Sequence, residues 1–280
     1  MTIAELKEAV VLLVRMPLLW IPGIIGGAFA AIIWLTLFVS GAFFTSRLLV
    51  IFALVLLFFT TGMLTVIRNN EATGRALVRG GVDYYFRVLL PQLVIGFALL
   101  VVFILCTITF ALFGLVSDIG LLSALTFGIM IPTLMLTFFC DTAAVFEDRR
   151  VFESIQRSIL LVSNHMMQVL SFFIISALLC AGTLFGLMII WEAILFEKLK
   201  PIMDFTDAQR GAFTPDQLFA MMGQDGMWMT AIILFTGVLL LLPLLFSYKA
   251  CFYKKMASSA VTIEQQTYGE YDSKGRWYKY

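Results

Sequence analysis

Hydrophobic and polar positions along this chain alternate between long apolar runs and shorter amphipathic stretches. Apolar runs at 18–39, 48–66, 89–113, 121–139, 169–196 and 227–246 each come close to or exceed the roughly 20 residues that a helix needs to cross a bilayer core. Between them the periodicity changes. At Phe152, Ile155, Ile159, Val162 and Met166 the apolar positions recur at steps of three and four, while Glu153, Gln156, Arg157 and Ser163 occupy the other arc. The same spacing opens the chain at Ile3, Leu6, Val10 and Leu13, behind a Thr2-x-x-Glu5 capping box. A third such stretch has Arg75, Arg79, Asp83 and Arg87 in one row, with Leu77, Tyr84 and Val88 opposite; Gly80 and Gly81 weaken it by about 1 kcal/mol each relative to alanine. The pattern predicts an all-α integral membrane protein with six transmembrane helices and three cytoplasmic interfacial amphipathic helices lying along the membrane surface.

The polar connections predict the remaining elements. Residues 40–47 form a tight turn, and 197–226 an extracytoplasmic loop in which Thr214, Pro215 and Gln217 start a short helix ending at Gly223. The amphipathic starts at Ile3, Leu77 and Phe152 lie 74 and 75 residues apart, each followed by a pair of spans. This predicts a threefold internal repeat, with units at about 1–70, 71–145 and 146–255 of one transmembrane domain, 1–255. A polar tail, 256–280, follows, with a hairpin turn expected between Tyr271 and Trp277 and docking or disorder left open. Gly23 and Gly27 in the first span, and the Gly182-x-x-x-Gly186 step in the fifth, are expected to let a neighbouring helix approach closely.

Composition makes the membrane reading firmer: 61% of the 280 residues are hydrophobic and 13% charged, far from the soluble average. Fifteen of the 19 Lys and Arg fall on the face holding both termini and the amphipathic stretches, which places that face in the cytoplasm of a plasma-membrane protein. Glu5, Lys7 and Glu8 precede the first run, so the N-terminus does not read as a cleaved signal. Basic residues occur singly or in pairs, so no nucleic acid is expected as partner; the partners expected are membrane lipids and an identical copy or another membrane protein.

Four cysteines without a C-x-x-C pair and a single histidine, His165, supply no cysteine-based metal site, and no cofactor is expected. G-x-S-x-G, H-E-x-x-H and P-loop motifs are missing from the sequence, and no catalytic residue is assigned. The chemistry-bearing candidates are a polar cluster at the cytoplasmic face: Asp141, Glu147, Asp148, Arg149, Arg150, Arg157 and His165. Asp141 reads either as a proton or ion ligand at membrane depth or, structurally, as a cap of the next turn or the partner of Arg149 or Arg150. His165 reads as a pH sensor or as a polar helix junction.

The stretch around Glu147, Glu153, Ser154, Arg157, Ser158, Val162 and Asn164 resembles prokaryotic multi-pass groups of unknown function related to the membrane domain of glycerophosphodiester phosphodiesterases. The resemblance covers about thirty residues and implies a membrane fold with interfacial helices, with no catalytic residue carried over. Three functions follow as expectations. One is binding or moving a lipid-like or amphipathic ligand at the inner leaflet, in a cavity lined by Thr60, Thr61, Thr107, Thr109 and Thr183. The second is an accessory subunit of a complex or homo-oligomer. The third, a membrane-embedded lipid enzyme, needs Asp141, Glu147 and Asp148 clustered at one opening.

Overall fold

The computed structural model describes residues 2–112, 119–203, 205–206, 214–267, 269–271 and 277–279. Helix α1 covers Thr2–Arg15, and a 3-10 turn over Pro17–Trp20 leads into α2, Ile21–Asn69. There follow α3 (Gly74–Leu112), α4 (Ile119–Thr137), α5 (Cys140–Phe146), α6 (Val151–Asn164), α7 (Met166–Met203) and α8 (Pro215–Thr267). The two short strands β1 (Gly269–Tyr271) and β2 (Trp277–Lys279) pair antiparallel, Tyr271 opposite Trp277. The turn expected between them at 272–276, and residues 207–213 of the predicted loop, lie outside the described residues.

Six helical segments are long and apolar enough to cross a membrane: 17–38, 41–69, 74–112, 123–146, 166–201 and 217–258. This is a multi-pass membrane protein. Gly41, at φ 73, breaks α2 between the first two spans, so a single left-handed residue does the work predicted for a turn over 40–47. Gly223, at φ 65, breaks α8 in the same way after the short helix that Pro215 opens. The backbone N–H of Thr214 donates to Gln217 Oε1 at 3.0 Å, the reciprocal half of a capping box. Much of the predicted 197–226 loop is therefore helical, and α8 runs on to Thr267, past the expected start of the tail at 256.

Two further expectations change. The Arg75–Arg87 stretch is not a separate helix, because α3 carries it through Pro91 into the third span without interruption. Gly80 and Gly81 are buried there, and a Cβ on Gly80 would lie 2.4 Å from the Thr65 side chain; the glycines allow α2 and α3 to meet. The second change is α5, a seven-residue helix over a stretch read as the lead-in to a loop. The chain breaks between α4 and α5, and Ser158 of α6 satisfies the break: its hydroxyl accepts from Phe139 N–H at 3.1 Å and donates to the Leu136 carbonyl at 2.7 Å.

By its internal contacts the chain divides into two compact units. The first comprises 1–9, 61–172 and 247–280, where α3, α4, α5 and α6 pack on one another. Its centre is aromatic: Phe172 stacks on Tyr248 at 4.6 Å and on Phe252 at 4.8 Å, and Phe139 and Tyr253 are fully buried beside them. The second comprises 10–60 and 173–246. There the first span packs on α8 through glycine, since a Cβ on Gly23 or Gly27 would meet the carbonyl oxygen of Leu239 or Phe235 at 2.7 Å. No such neighbour exists for Gly182 and Gly186, which have nothing within 4 Å, so their expected packing role is not fulfilled within the described chain.

Candidate functional site

The residues expected to form one polar cluster lie in the first unit and separate into distinct ion-pair systems. Asp141, on the first turn of α5, is nearly fully buried and takes the Lys249 ammonium of α8 at 2.7 Å, with its own Thr142 N–H at 2.6 Å. Neither Arg149 nor Arg150 is its partner, contrary to the pairing weighed from sequence. Lys249 also lies 4.1 Å from the centre of the Phe138 ring. A buried pair of this kind forms only where each charge neutralises the other, because either alone would carry the full cost of leaving water.

Glu147, just past α5, collects a second system. Arg157 of α6 donates to both its oxygens at 3.0 Å, Arg149 approaches at 3.3 Å, and the Tyr253 hydroxyl donates at 2.7 Å. Asp148 is the centre of a third. It adopts φ 54, a left-handed conformation that aspartate tolerates better than most residues, and accepts two bonds from Arg68 at 3.1 and 2.5 Å and one from the Tyr84 hydroxyl. Arg87 stands 3.6 Å away. The Arg68 guanidinium, seconded by the Tyr84 hydroxyl and the charge of Arg87, holds the Asp148 carboxyl below the usual carboxylate range.

Arg150 and His165 take no part in these systems. Arg150 caps α6, its N–H donating to Glu153 at 3.1 Å and its carbonyl accepting from Ser154 at 2.8 Å. His165 ends the same helix, with Nδ1 at 3.2 Å from the Leu161 carbonyl, the polar-junction geometry. The partners missed in the sequence are Arg68, Tyr84, Lys249 and Tyr253. Lys249 and Tyr253 are four residues apart and share a helix face, yet beside Tyr248, Lys254 and Lys255 they read as a membrane border. Lys254 instead donates to the Ile67 carbonyl near the end of α2 at 2.9 Å, satisfying one of the carbonyl acceptors that a helix terminus leaves without a partner.

The Thr2 side chain of the expected Thr2–Glu5 capping box lies outside what is described; the buried Glu5 carboxylate accepts from Lys255. Its second oxygen, Oε2, has no hydrogen-bond partner among the described residues.

The second unit holds a recess of another character. A groove of about 560 Å³ runs between α7 and α8, and of its thirteen lining residues only Trp191 and Thr230 carry polar side-chain atoms. Those two satisfy each other: the indole N–H donates to the Thr230 hydroxyl at 2.8 Å, which donates on to the Gly226 carbonyl at 2.8 Å. The threonines expected to line a cavity do not line it. Thr107 and Thr109 are bonded to their own helix at 2.9 and 2.8 Å, and Thr60 and Thr61 are buried in packing.

No family model, curated protein or solved structure matches this chain.

Proposed function

We propose that this membrane protein binds a lipid-like or amphipathic ligand along the groove between its fifth and sixth spans, with the Phe246 end of the groove toward the cytoplasmic leaflet. The observation that carries the reading is the groove itself. Its volume lies within the 300–1,000 Å³ common for ligand sites. From Thr230 to Phe246 it follows α8 for about 24 Å at 1.5 Å per residue, most of the roughly 30 Å hydrocarbon thickness. With no charge along that length and its only polar pair already satisfied, it suits an acyl chain and disfavours a charged solute. The basic residues that follow Phe246 set this end toward the cytoplasm under the charge-bias rule.

Native mass spectrometry of the purified protein tests this. Retained phospholipid is expected on the natural chain and is expected to disappear in Leu234→Trp, which fills the groove, while Val55→Trp, outside the groove lining, keeps it. Identical lipid adducts in all three proteins overturn the reading.

A second reading, an accessory subunit or homo-oligomer, is favoured by one observation. The most apolar 18-residue window of α7 buries none of its residues, and Gly182 and Gly186 on that helix are bare. The lipid-enzyme reading gains no support here, because Asp141, Glu147 and Asp148 are each engaged by a cation. The resemblance of 147–164 to the glycerophosphodiester phosphodiesterase membrane-domain group accords with interfacial helices and adds no catalytic role.

A further inference from the structure

A second recess lies in the first unit, and its chemistry is the opposite of the groove's. Where the end of α2 meets the start of α3, a cleft of about 400 Å³ is walled by Arg68, Glu71, Arg79, Asp83 and Tyr84, with Thr65 and Gly80 among its lining. Thr65 can touch Gly80 only because the glycine has no Cβ, so close contact between the two helices shapes the cleft. Two guanidinium groups and two carboxylates line it, so neither a simple anion nor a simple cation is matched.

The charges are unequally committed. Arg68 is bound to Asp148, whereas Arg79 is 83% exposed and stands 3.6 Å from Asp83, beyond hydrogen-bond distance. Glu71 is exposed at the rim. Arg79 and Asp83 hold each other only in an open, solvent-exposed i,i+4 ion pair, so this arginine and the two carboxylates can be taken over by a ligand that brings both signs.

The neighbouring arc of α3 supplies the setting. Val78, Val82 and Phe86, at steps of four, are all more than half exposed, and each lies one residue before Arg79, Asp83 and Arg87. The stripe sits on the stretch of α3 that leads without a break into the third span, which sets the adjoining charged cleft beside the membrane, within reach of lipid headgroups.

We infer that this cleft binds a zwitterion joining a phosphate to a primary ammonium, the phosphoethanolamine group, with Arg79 taking the phosphate and Glu71 and Asp83 the ammonium. A quaternary ammonium is disfavoured: it gains from a cage of aromatic faces, and the cleft has one tyrosine, whose hydroxyl is already given to Asp148. The same group could reach the cleft on a phospholipid or free in solution, and the apolar stripe favours the lipid.

The experiment measures binding of phosphatidylethanolamine, phosphatidylcholine and phosphatidylglycerol to the full-length protein in detergent by native mass spectrometry, with soluble phosphoethanolamine as competitor. The ethanolamine lipid is expected to bind about tenfold more tightly than the other two, the worth of one charge-assisted bond. Glu71→Gln combined with Asp83→Asn should erase the preference over phosphatidylcholine, and Arg79→Gln should weaken the ethanolamine and glycerol lipids alike. All three positions are exposed, so thermal unfolding should stay unchanged and separate lost binding from lost folding. Competition by phosphoethanolamine at concentrations comparable to the lipid assigns a soluble source; preference without competition assigns the membrane lipid. Equal binding of the three lipids, or a preference that survives the double carboxamide variant, overturns the inference. It stands independently of the groove reading, because the residues tested lie on α2 and α3 and its readout is headgroup preference, not retention of lipid.

Discussion

Both units hold apolar helices together through glycine, at Gly62 and Gly80 in the first and at Gly23 and Gly27 in the second, but only the first adds buried charge. In the second, contact comes from removing side chains: Gly23 and Gly27 bring helix backbones against carbonyl oxygens, and no charged side chain among the described residues is buried. In the first, all three buried charged side chains among the described residues occur, Glu5, Asp141 and Lys249, and short polar side chains do the joining. Lipid gives no hydrophobic drive for one apolar helix to prefer another, so glycine packing acts through dispersion and close approach. The first unit's polar contacts join residues far apart in sequence, Asp141 with Lys249, Arg68 with Asp148 and Glu147 with Tyr253. Such pairs fix which helix meets which, at a larger penalty when one member is lost.

The sharpest way to break the comparison is to unbalance the buried pair. Asp141→Ala leaves the Lys249 ammonium buried without its carboxylate and should cost about 3–5 kcal/mol, read as a fall in thermal stability in detergent. Asp141→Ala combined with Lys249→Met removes both charges and should recover most of that loss. If the double variant is no more stable than the single one, the carboxylate has a role beyond neutralising the lysine.

Glycine gives the matching test for the second unit, with a smaller expected effect. A valine at Gly27 would press on the Phe235 backbone, which cannot swing aside, and overpacking of this kind costs about 1–3 kcal/mol. The same change at Gly186 meets nothing and should shift stability by no more than about 0.5 kcal/mol. A large loss for Gly186→Val that appears only at high protein concentration would reveal a self-association face on α7 and favour the oligomer reading.

What the sequence could convey follows the same division. The apolar runs were legible because membrane thickness fixes their length, and the breaks at Gly41 and Gly223 fell where glycine marked them. The amphipathic arcs were legible, but what buries them was not. On α6 the periodic apolar arc begins at Phe152, 73% exposed, whereas the protein-facing arc is Ser154, Ser158, Leu161 and Val162. On α1, likewise, Ile3 and Val10 are exposed while Glu5 and Ala9 are buried. Periodicity detects the wider apolar arc and cannot distinguish lipid from protein as its cover. The candidate site was legible as a set of residue types; its pairings were not, because Lys249 and Arg68 find their partners 108 and 80 residues away.

The exposed end of the first unit's network gives the smallest and most pH-dependent effect. Arg68 lowers the pKa of Asp148 in the folded protein, while in the unfolded chain it returns to about 3.9. A group depressed on folding contributes stability that is present above its unfolded value and is lost as pH falls through its folded one. The contribution should therefore be constant from neutral pH down to about 5 and fade below about 4. The Asp148 side chain is 47% exposed, so solvent screening holds the gain to about 1 kcal/mol or less. Asp148→Asn keeps the side chain's size and removes the charge, and its melting temperature should lie slightly below that of the natural chain at pH 7 and converge on it as pH falls through the depressed folded value of Asp148. Added salt should narrow the gap at pH 7, since the pair is open to solvent. A gap that persists undiminished through acid would mean that the Asp148 charge contributes nothing and that the loss comes from the bond to Tyr84, since asparagine tolerates the left-handed backbone here as aspartate does.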